Sequence, residues 1–166
     1  MFNSLFKLKI SKLNLHDSLN EEFNLLAIHT DLADYRLAYF LNKKLEINLS
    51  RKTFDLNFVN SKGSFSVFEY IDNDNLLKWN LISNICNHNF TQKSDNTDLF
   101  NNSNEIVRKF NLLAEYDNVN FLLKVDKNEK LIDLEDILKK IKSIPQIITL
   151  YNINKDLKNK EHLIFL

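Results

Sequence analysis

The sequence predicts a single α+β domain, with a mainly antiparallel sheet and two principal helices. Short segments whose apolar residues alternate or run continuously, as strand residues do, recur along the chain, and two segments instead have the 3.6-residue period of a helix. The chain has 166 residues, a length at which one domain can bury a substantial core. We therefore expect residues 1–166 to form one domain.

The predicted strands differ in how they are buried. Residues 23–29 form a nearly continuous apolar run, which is typical of a central strand covered on both faces. Residues 6–10 alternate with lysines and predict an edge strand. Further strands are expected at 54–58, 64–71, 78–85, 146–153 and 162–166, with a hairpin of 110–116 and 119–125 around Asp117 and Asn118.

Residues 87–104 lack any apolar period. The segment is polar and rich in turn-forming residues, which predicts a mobile surface loop. Neither side of it has enough predicted elements to form a domain alone. We therefore interpret it as a loop within one domain.

The second predicted helix lies between Asp133 and Pro145. Leu134, Ile137, Leu138 and Ile141 form one apolar stripe, as in a surface helix that packs on a sheet. Asp133 is a suitable N-cap, and Pro145 restricts the preceding residue and ends the helix. With its flanking strands, this helix predicts a C-terminal βαβ unit.

The first predicted helix, residues 31–45, has apolar residues around most of its circumference. Asp31 is the expected N-cap, and Arg36 and Lys43 share one narrow polar strip. A helix that is apolar all round is buried on more than one side. We therefore expect its second side to be covered by the same chain or by another subunit.

Composition and charge exclude several classes of function. The 22 basic and 22 acidic residues balance, so the basic surplus usual in nucleic-acid-binding proteins is missing. No apolar run is long enough for a membrane span. We expect no signal peptide, because Lys7, Lys9 and Lys12 interrupt the apolar residues near the N-terminus. A single cysteine, Cys86, favours a reducing cytoplasm. One glycine cannot build a phosphate-binding loop, and Cys86 and His88 lack a second ligand pair, so we expect neither cofactor nor metal.

The candidate site residues lie around the first helix. Tyr35 and Tyr39 are one helical turn apart with Arg36 between them, a composition typical of interface hot spots. The alternative is that the tyrosines lie at the margin of the core, with Arg36 extending to water. His29 precedes the helix where a strand ends, and Arg36 or Arg51 could hold a carboxylate or phosphate there.

Four blocks of sequence resemble the IPExxxVDY family of Bacteroidetes-type bacteria. They are IHTDLADYRLAYFLNKKLEINLSR at 28–51, DLNF at 55–58, FEYIDNDNLLKWNLISN at 68–84 and IPQIITLYNINKDLKNKEHLIF at 144–165. Ile144 and Pro145 match the naming motif, whereas Gln146 replaces its glutamate and 150–152 replace its Val-Asp-Tyr. The resemblance implies a small cytoplasmic bacterial protein and supplies no activity. Loss of both motif carboxylates favours a structural role for this segment.

Three functional hypotheses follow. The first is a non-enzymatic interaction or adaptor protein that binds itself or a partner protein through helix 31–45. The second is a small-molecule-binding protein or small enzyme with a site at the junction from His29 to Arg36. The third is an RNA-associated factor, which rests only on the ribonuclease genes found near members of the resembled family and is opposed by the zero net charge.

Overall fold

The computed structural model describes residues 23–57, 64–91, 105–126, 132–153, 157 and 160–163. Over these residues the predicted α+β fold with a mainly antiparallel sheet is confirmed. The strands are β1 (Phe23–Thr30), β2 (Ser50–Arg51), β3 (Leu56–Asn57), β4 (Ser64–Phe65), β5 (Val67–Asp72), β6 (Leu77–Ser83), β7 (Ile85–Thr91), β8 (Glu105–Asn111), β9 (Phe121–Asp126) and β10 (Ile147–Asn152), and the helices are α1 (Asp34–Leu45) and α2 (Leu134–Lys142). Neither helix of this described part has the length and apolarity that crossing a membrane requires.

Six strands form the main sheet in the order β10-β1-β9-β6-β5-β2, and every neighbouring pair is antiparallel. Two separate hairpins, β3–β4 and β7–β8, extend from it. Because β9 and β10 both run antiparallel to β1, they are parallel to each other. The expected C-terminal βαβ unit is therefore present in a split form, with β1 between its two strands.

Strand β1 is the predicted two-sided strand. Leu26 and Ile28 pack against the helices, while Leu25 and Ala27 pack into a second apolar cluster on the opposite face of the sheet. All four side chains are buried. The continuous apolar run of the sequence is thus explained by the covering of both faces.

Helix α2 forms as the sequence predicts. Its N-cap Asp133 accepts hydrogen bonds from the backbone N–H groups of Glu135 and Asp136 at 3.0 and 3.1 Å. Ile137 and Ile141 are buried against the sheet. The helix ends at Lys142, before Pro145.

Helix α1 begins later than predicted, and Asp31 does not cap it. The N-cap is Ala33, which has an extended backbone and makes no side-chain capping bond. Asp31 lies two residues before that position and is exposed. The chain between β1 and α1 is instead held by Thr30, whose Oγ1 accepts a hydrogen bond from the Leu32 N–H at 3.2 Å.

The chain leaves the main sheet at Asn84, directly after β6. Asn84 is completely buried. Its backbone N–H donates to the carbonyl of Asn120 at 2.8 Å, and its carbonyl accepts from the N–H of Leu112 at 2.9 Å. One residue therefore joins the end of β6 to the segment after β8 and to the residue before β9.

The Asn84 side chain fixes the segment between β8 and β9. Its Oδ1 accepts from the Leu113 N–H at 2.8 Å, and its Nδ2 donates to the carbonyls of Tyr116 and Val119 at 2.8 and 2.9 Å. Residues 114–116 form a 3-10 turn rather than a strand. The predicted hairpin of 110–116 with 119–125 is therefore wrong: β8 pairs with β7, and β9 pairs with β1 and β6.

Two further predictions are wrong: the start of the loop at 87–104 and the last strand at 162–166. Residues 87–91 belong to β7 and pair with β8, so the predicted loop does not begin at Asn87. This ribbon exposes Asn87 and Val107 alike, and it therefore needs no apolar period. The predicted last strand is also wrong where it can be observed, because Lys160–Leu163 is a 3-10 helix. Residues 6–10, 92–104 and 164–166 lie outside the described residues.

We expect Asn84→Ala to lower the free energy of unfolding by about 2–5 kcal/mol, because it leaves the buried Leu113 N–H and Val119 carbonyl without partners. Urea denaturation followed by circular dichroism measures the change. The control is Asn87→Ala on the exposed ribbon, which should stay within about 0.5 kcal/mol of the parent protein. A loss below about 1 kcal/mol for Asn84→Ala would show that these bonds do not hold the segment.

Candidate functional site

Four side chains form a continuous exposed surface along α1, which we call the α1 stripe: Tyr35, Arg36, Tyr39 and Lys43. At 100° per residue they fall within about 100° of the helix circumference. Tyr35 is 65% and Tyr39 60% exposed, and Arg36 and Lys43 are also exposed. The structure thus brings three of the predicted site residues together.

The expectation that the same chain covers a second side of α1 is not met at the stripe. The buried face consists of Leu37, Ala38 and Leu41, and the two tyrosines on the other side are open to solvent. Tyrosine rings are counted as apolar in a helical wheel, but their hydroxyl groups can remain in water. Whether another subunit covers the stripe stays a prediction.

The stripe is preorganised and carries unneutralised positive charge. The Tyr39 ring packs edge-on against the Phe40 ring, with centroids 5.5 Å apart and planes at 69°. Within the described residues, Arg36 and Lys43 form no ion pair. Asp34 uses one carboxylate oxygen to accept a hydrogen bond from the Tyr35 N–H at 2.7 Å.

The junction between β1 and α1 is held by local hydrogen bonds. The Thr30 hydroxyl donates to the Gln146 carbonyl at 2.8 Å, and the Thr30 N–H donates to Asn120 Oδ1 at 3.1 Å. His29 is half-buried, and its Nδ1 is buried with no hydrogen-bond partner among the residues that the structure describes. No group of three potential metal ligands occurs in the described part of the chain.

Arg51 is not near this junction. It lies on β2, four strands from β1 across the sheet, a separation of about 19 Å at the usual strand spacing. Its guanidinium pairs with Asp55 and lies 5.6 Å from the centroid of the Phe68 ring. These contacts anchor the β2 edge, and the structure does not combine Arg51 with His29.

Glu69 occupies the face of the sheet opposite the helices, between two lysines. Its carboxylate lies 3.0 Å from Lys52 Nζ and 3.2 Å from Lys78 Nζ. Partial burial raises the pKa of Glu69, but the hydrogen bonds and charges of Lys52 and Lys78 outweigh this and lower it. The pairing agrees with a structural rather than a catalytic role.

A groove of about 400 Å³ opens where α1 ends, α2 begins and the β5–β6 hairpin turns. We call it the acidic groove. The apolar residues of its lining are Leu45, Ile47, Tyr70, Leu77, Trp79, Ile132 and Ile137. The charged residues at its rim are Glu46, Asp72, Asp133, Asp136 and Lys140. Its lining includes no histidine, cysteine, serine or threonine.

The acidic groove has no counterpart among the sites predicted from the sequence. Its residues come from 45–47, 70–79 and 132–140, which are distant in the chain. Asp133 already has an explanation as the N-cap of α2, Asp136 has one as an acidic residue of its first turn, and Asp72 has one in the turn that follows β5. Only the folded arrangement places these carboxylates around one apolar surface.

Comparison of the chain with protein-family models, with curated proteins and with solved structures finds no match in any of the three. Membership of the IPExxxVDY family therefore stays a prediction.

We expect Glu69→Gln to destabilise the protein by about 1 kcal/mol at pH 7, through loss of two partly buried ion pairs. Because folding lowers the pKa of Glu69, its contribution is complete above the ordinary glutamate pKa of about 4.3 and disappears as the pH falls through the lowered value. Denaturation of both proteins across this pH range should therefore show the difference vanishing in acid. The exposed Glu115→Gln is the control, and a difference independent of pH would contradict the account.

Proposed function

We propose that the protein is a non-enzymatic interaction protein that binds a partner protein through the α1 stripe. The observation that carries this proposal is the exposure of Tyr35 and Tyr39 beside Arg36 on a rigid helix. Tyrosine and arginine are, with tryptophan, the residues enriched at interface hot spots. Tyrosine also supplies a large contact area while losing little conformational entropy on binding.

The charge of the stripe indicates the kind of partner. Arg36 and Lys43 are the charged members of the stripe, and both are cationic. A partner with an acidic surface would gain favourable electrostatic complementarity, which mainly raises the association rate and the specificity. The protein as a whole is neutral, so this attraction is local to the stripe.

The second hypothesis, a small-molecule site at the junction from His29 to Arg36, has less support. Arg51 is remote, Arg36 is exposed on α1, and Thr30 is occupied by structural hydrogen bonds. The unpartnered Nδ1 of His29 is the one observation in its favour. A reducing cytoplasm remains the proposed location, supported by the single free cysteine, Cys86.

We expect Tyr39→Ala and Arg36→Ala each to weaken partner binding about 30-fold, the effect of a hot spot worth about 2 kcal/mol. The partner is first isolated on the immobilised protein from nuclease-treated lysate, and is then purified and measured by calorimetry. Affinity should fall as the salt concentration rises, because the contact includes charged groups.

The matched control variants are Tyr151→Ala and Lys139→Ala, which change an exposed tyrosine and an exposed lysine outside the stripe. Both should bind the partner as the parent protein does. Equal loss in stripe and control variants would contradict the proposal. If capture of the partner disappears on nuclease treatment, the result would instead support the RNA-associated hypothesis. If light scattering shows a stable dimer that depends on Tyr39, the partner would be a second copy of the chain.

A further inference from the structure

The acidic groove is a concave surface that shares no residue with the α1 stripe. Its volume of about 400 Å³ is within the range of pockets that enclose a ligand or a large side chain. Trp79, Leu77 and Ile137 provide an apolar surface that belongs to the main core on the helix side of the sheet. The position of this surface is therefore set by packing rather than by a loose loop.

The rim of the groove is strongly negative. Among the described residues of the lining, Glu46, Asp72, Asp133 and Asp136 contribute four carboxylates and Lys140 is the one cation. Lys140 already pairs with Asp136 at 2.7 Å. The remaining carboxylates leave the rim with an excess of three negative charges.

The carboxylates differ in how far their structural roles occupy them. Asp72 accepts hydrogen bonds from its own turn, including one from Asn75 Nδ2 at 2.8 Å, and these bonds lower its pKa. Asp133 caps α2 through Oδ1. Glu46 is exposed, and no hydrogen bond or ion pair to its side chain is found within the described chain. It follows α1 in the left-handed conformation, with φ 59°.

The charge pattern determines which ligand fits. Negative side chains at the start of α2 oppose binding of a phosphate or carboxylate there, although a bare helix N-terminus would favour an anion. An ammonium or guanidinium group is attracted to the rim, and an apolar stem attached to it can pack on the half-buried Leu45, Ile47 and Ile132. Trp79 and Tyr70 also provide aromatic rings of the kind that attract cations.

We propose that the acidic groove binds a lysine or arginine side chain presented by a basic segment of a partner protein. The long apolar stem of either residue covers the floor, and the cationic end reaches the rim, as such side chains do at other boundaries between apolar surface and charge. The protein would thus carry two binding surfaces of opposite charge, the α1 stripe and the groove.

The test uses Trp79, the single tryptophan of the chain, as a reporter inside the site. Short peptides with a central lysine or arginine between leucines are titrated while the indole fluorescence and the indole N–H resonance are followed. Matched peptides carry norleucine for lysine or citrulline for arginine, which remove the charge and keep the shape. Free butylammonium distinguishes recognition of an isolated amine from recognition of a peptide.

Charge variants of the rim predict effects in opposite directions. Glu46→Gln should weaken binding of the lysine peptide roughly two- to fivefold, and Lys140→Gln should tighten it by a similar factor, because each changes one partly solvated charge. Glu135→Gln and Lys139→Gln change neighbouring charges of α2 that do not line the groove and should have no effect. The stripe variant Tyr39→Ala should also bind the peptide normally, which separates this site from the proposed partner surface.

The inference is overturned if the norleucine and lysine peptides bind with equal affinity. It is overturned as well if neither Trp79 signal changes up to about 10 mM lysine or arginine peptide. A dissociation constant of that size corresponds to a binding free energy of only about 3 kcal/mol. It is also overturned if Lys140→Gln weakens binding. Butylammonium binding as tight as that of the peptide would assign the site to a small amine and contradict a protein partner.

Discussion

The buried Asn84 is the constraint on which the rest of the fold depends. Its backbone and side chain make five hydrogen bonds, four of them to the segment 112–119 that crosses the face of the sheet opposite the helices. This segment places Leu112, Leu113 and Val119 over Leu25 and Ala27 of β1. Asn84 therefore holds the segment that covers the face of the sheet opposite the helices. A buried amide stabilises such a segment when all its donors and acceptors have hydrogen-bond partners, whereas a buried amide without partners would destabilise the protein.

Both candidate binding surfaces lie on the other side of the sheet, which the helices cover. The helices α1 and α2 pack on the same side of the sheet through Leu37, Leu41, Ile137 and Ile141. The outer side of α1 carries the cationic stripe, and the meeting point of the α1 end with the α2 start carries the anionic groove. A net charge of zero is thus compatible with two strongly charged surfaces that are kept apart by a rigid scaffold.

The parts of the fold that the sequence predicts are those determined locally. The apolar run of β1 and the single stripe of α2 each specify burial without reference to distant residues, and both are confirmed. The polar strand β7 could not be predicted, since it is held by backbone pairing with β8, a later segment of the chain, and not by a pattern of its side chains. The hairpin around Asp117 failed for a similar reason, because Asn84, about 30 residues earlier in the chain, controls that segment.

The candidate site was predictable to the same extent. Tyr35, Arg36 and Tyr39 lie close together because their spacing along one helix fixes their relative positions. Their exposure could not be predicted in the same way, because it depends on which side of the helix packs on the sheet. The acidic groove requires three distant segments and had no local indication.

The most direct test of the interaction proposal is site-specific photo-crosslinking in living cells. A photoreactive phenylalanine analogue is placed at position 39 of the α1 stripe and, as the comparison, at position 139 on the exposed side of α2. The account predicts a discrete crosslinked protein adduct from position 39 that is missing from position 139. The absence of an adduct at position 39, or the same adducts from both positions, would contradict it.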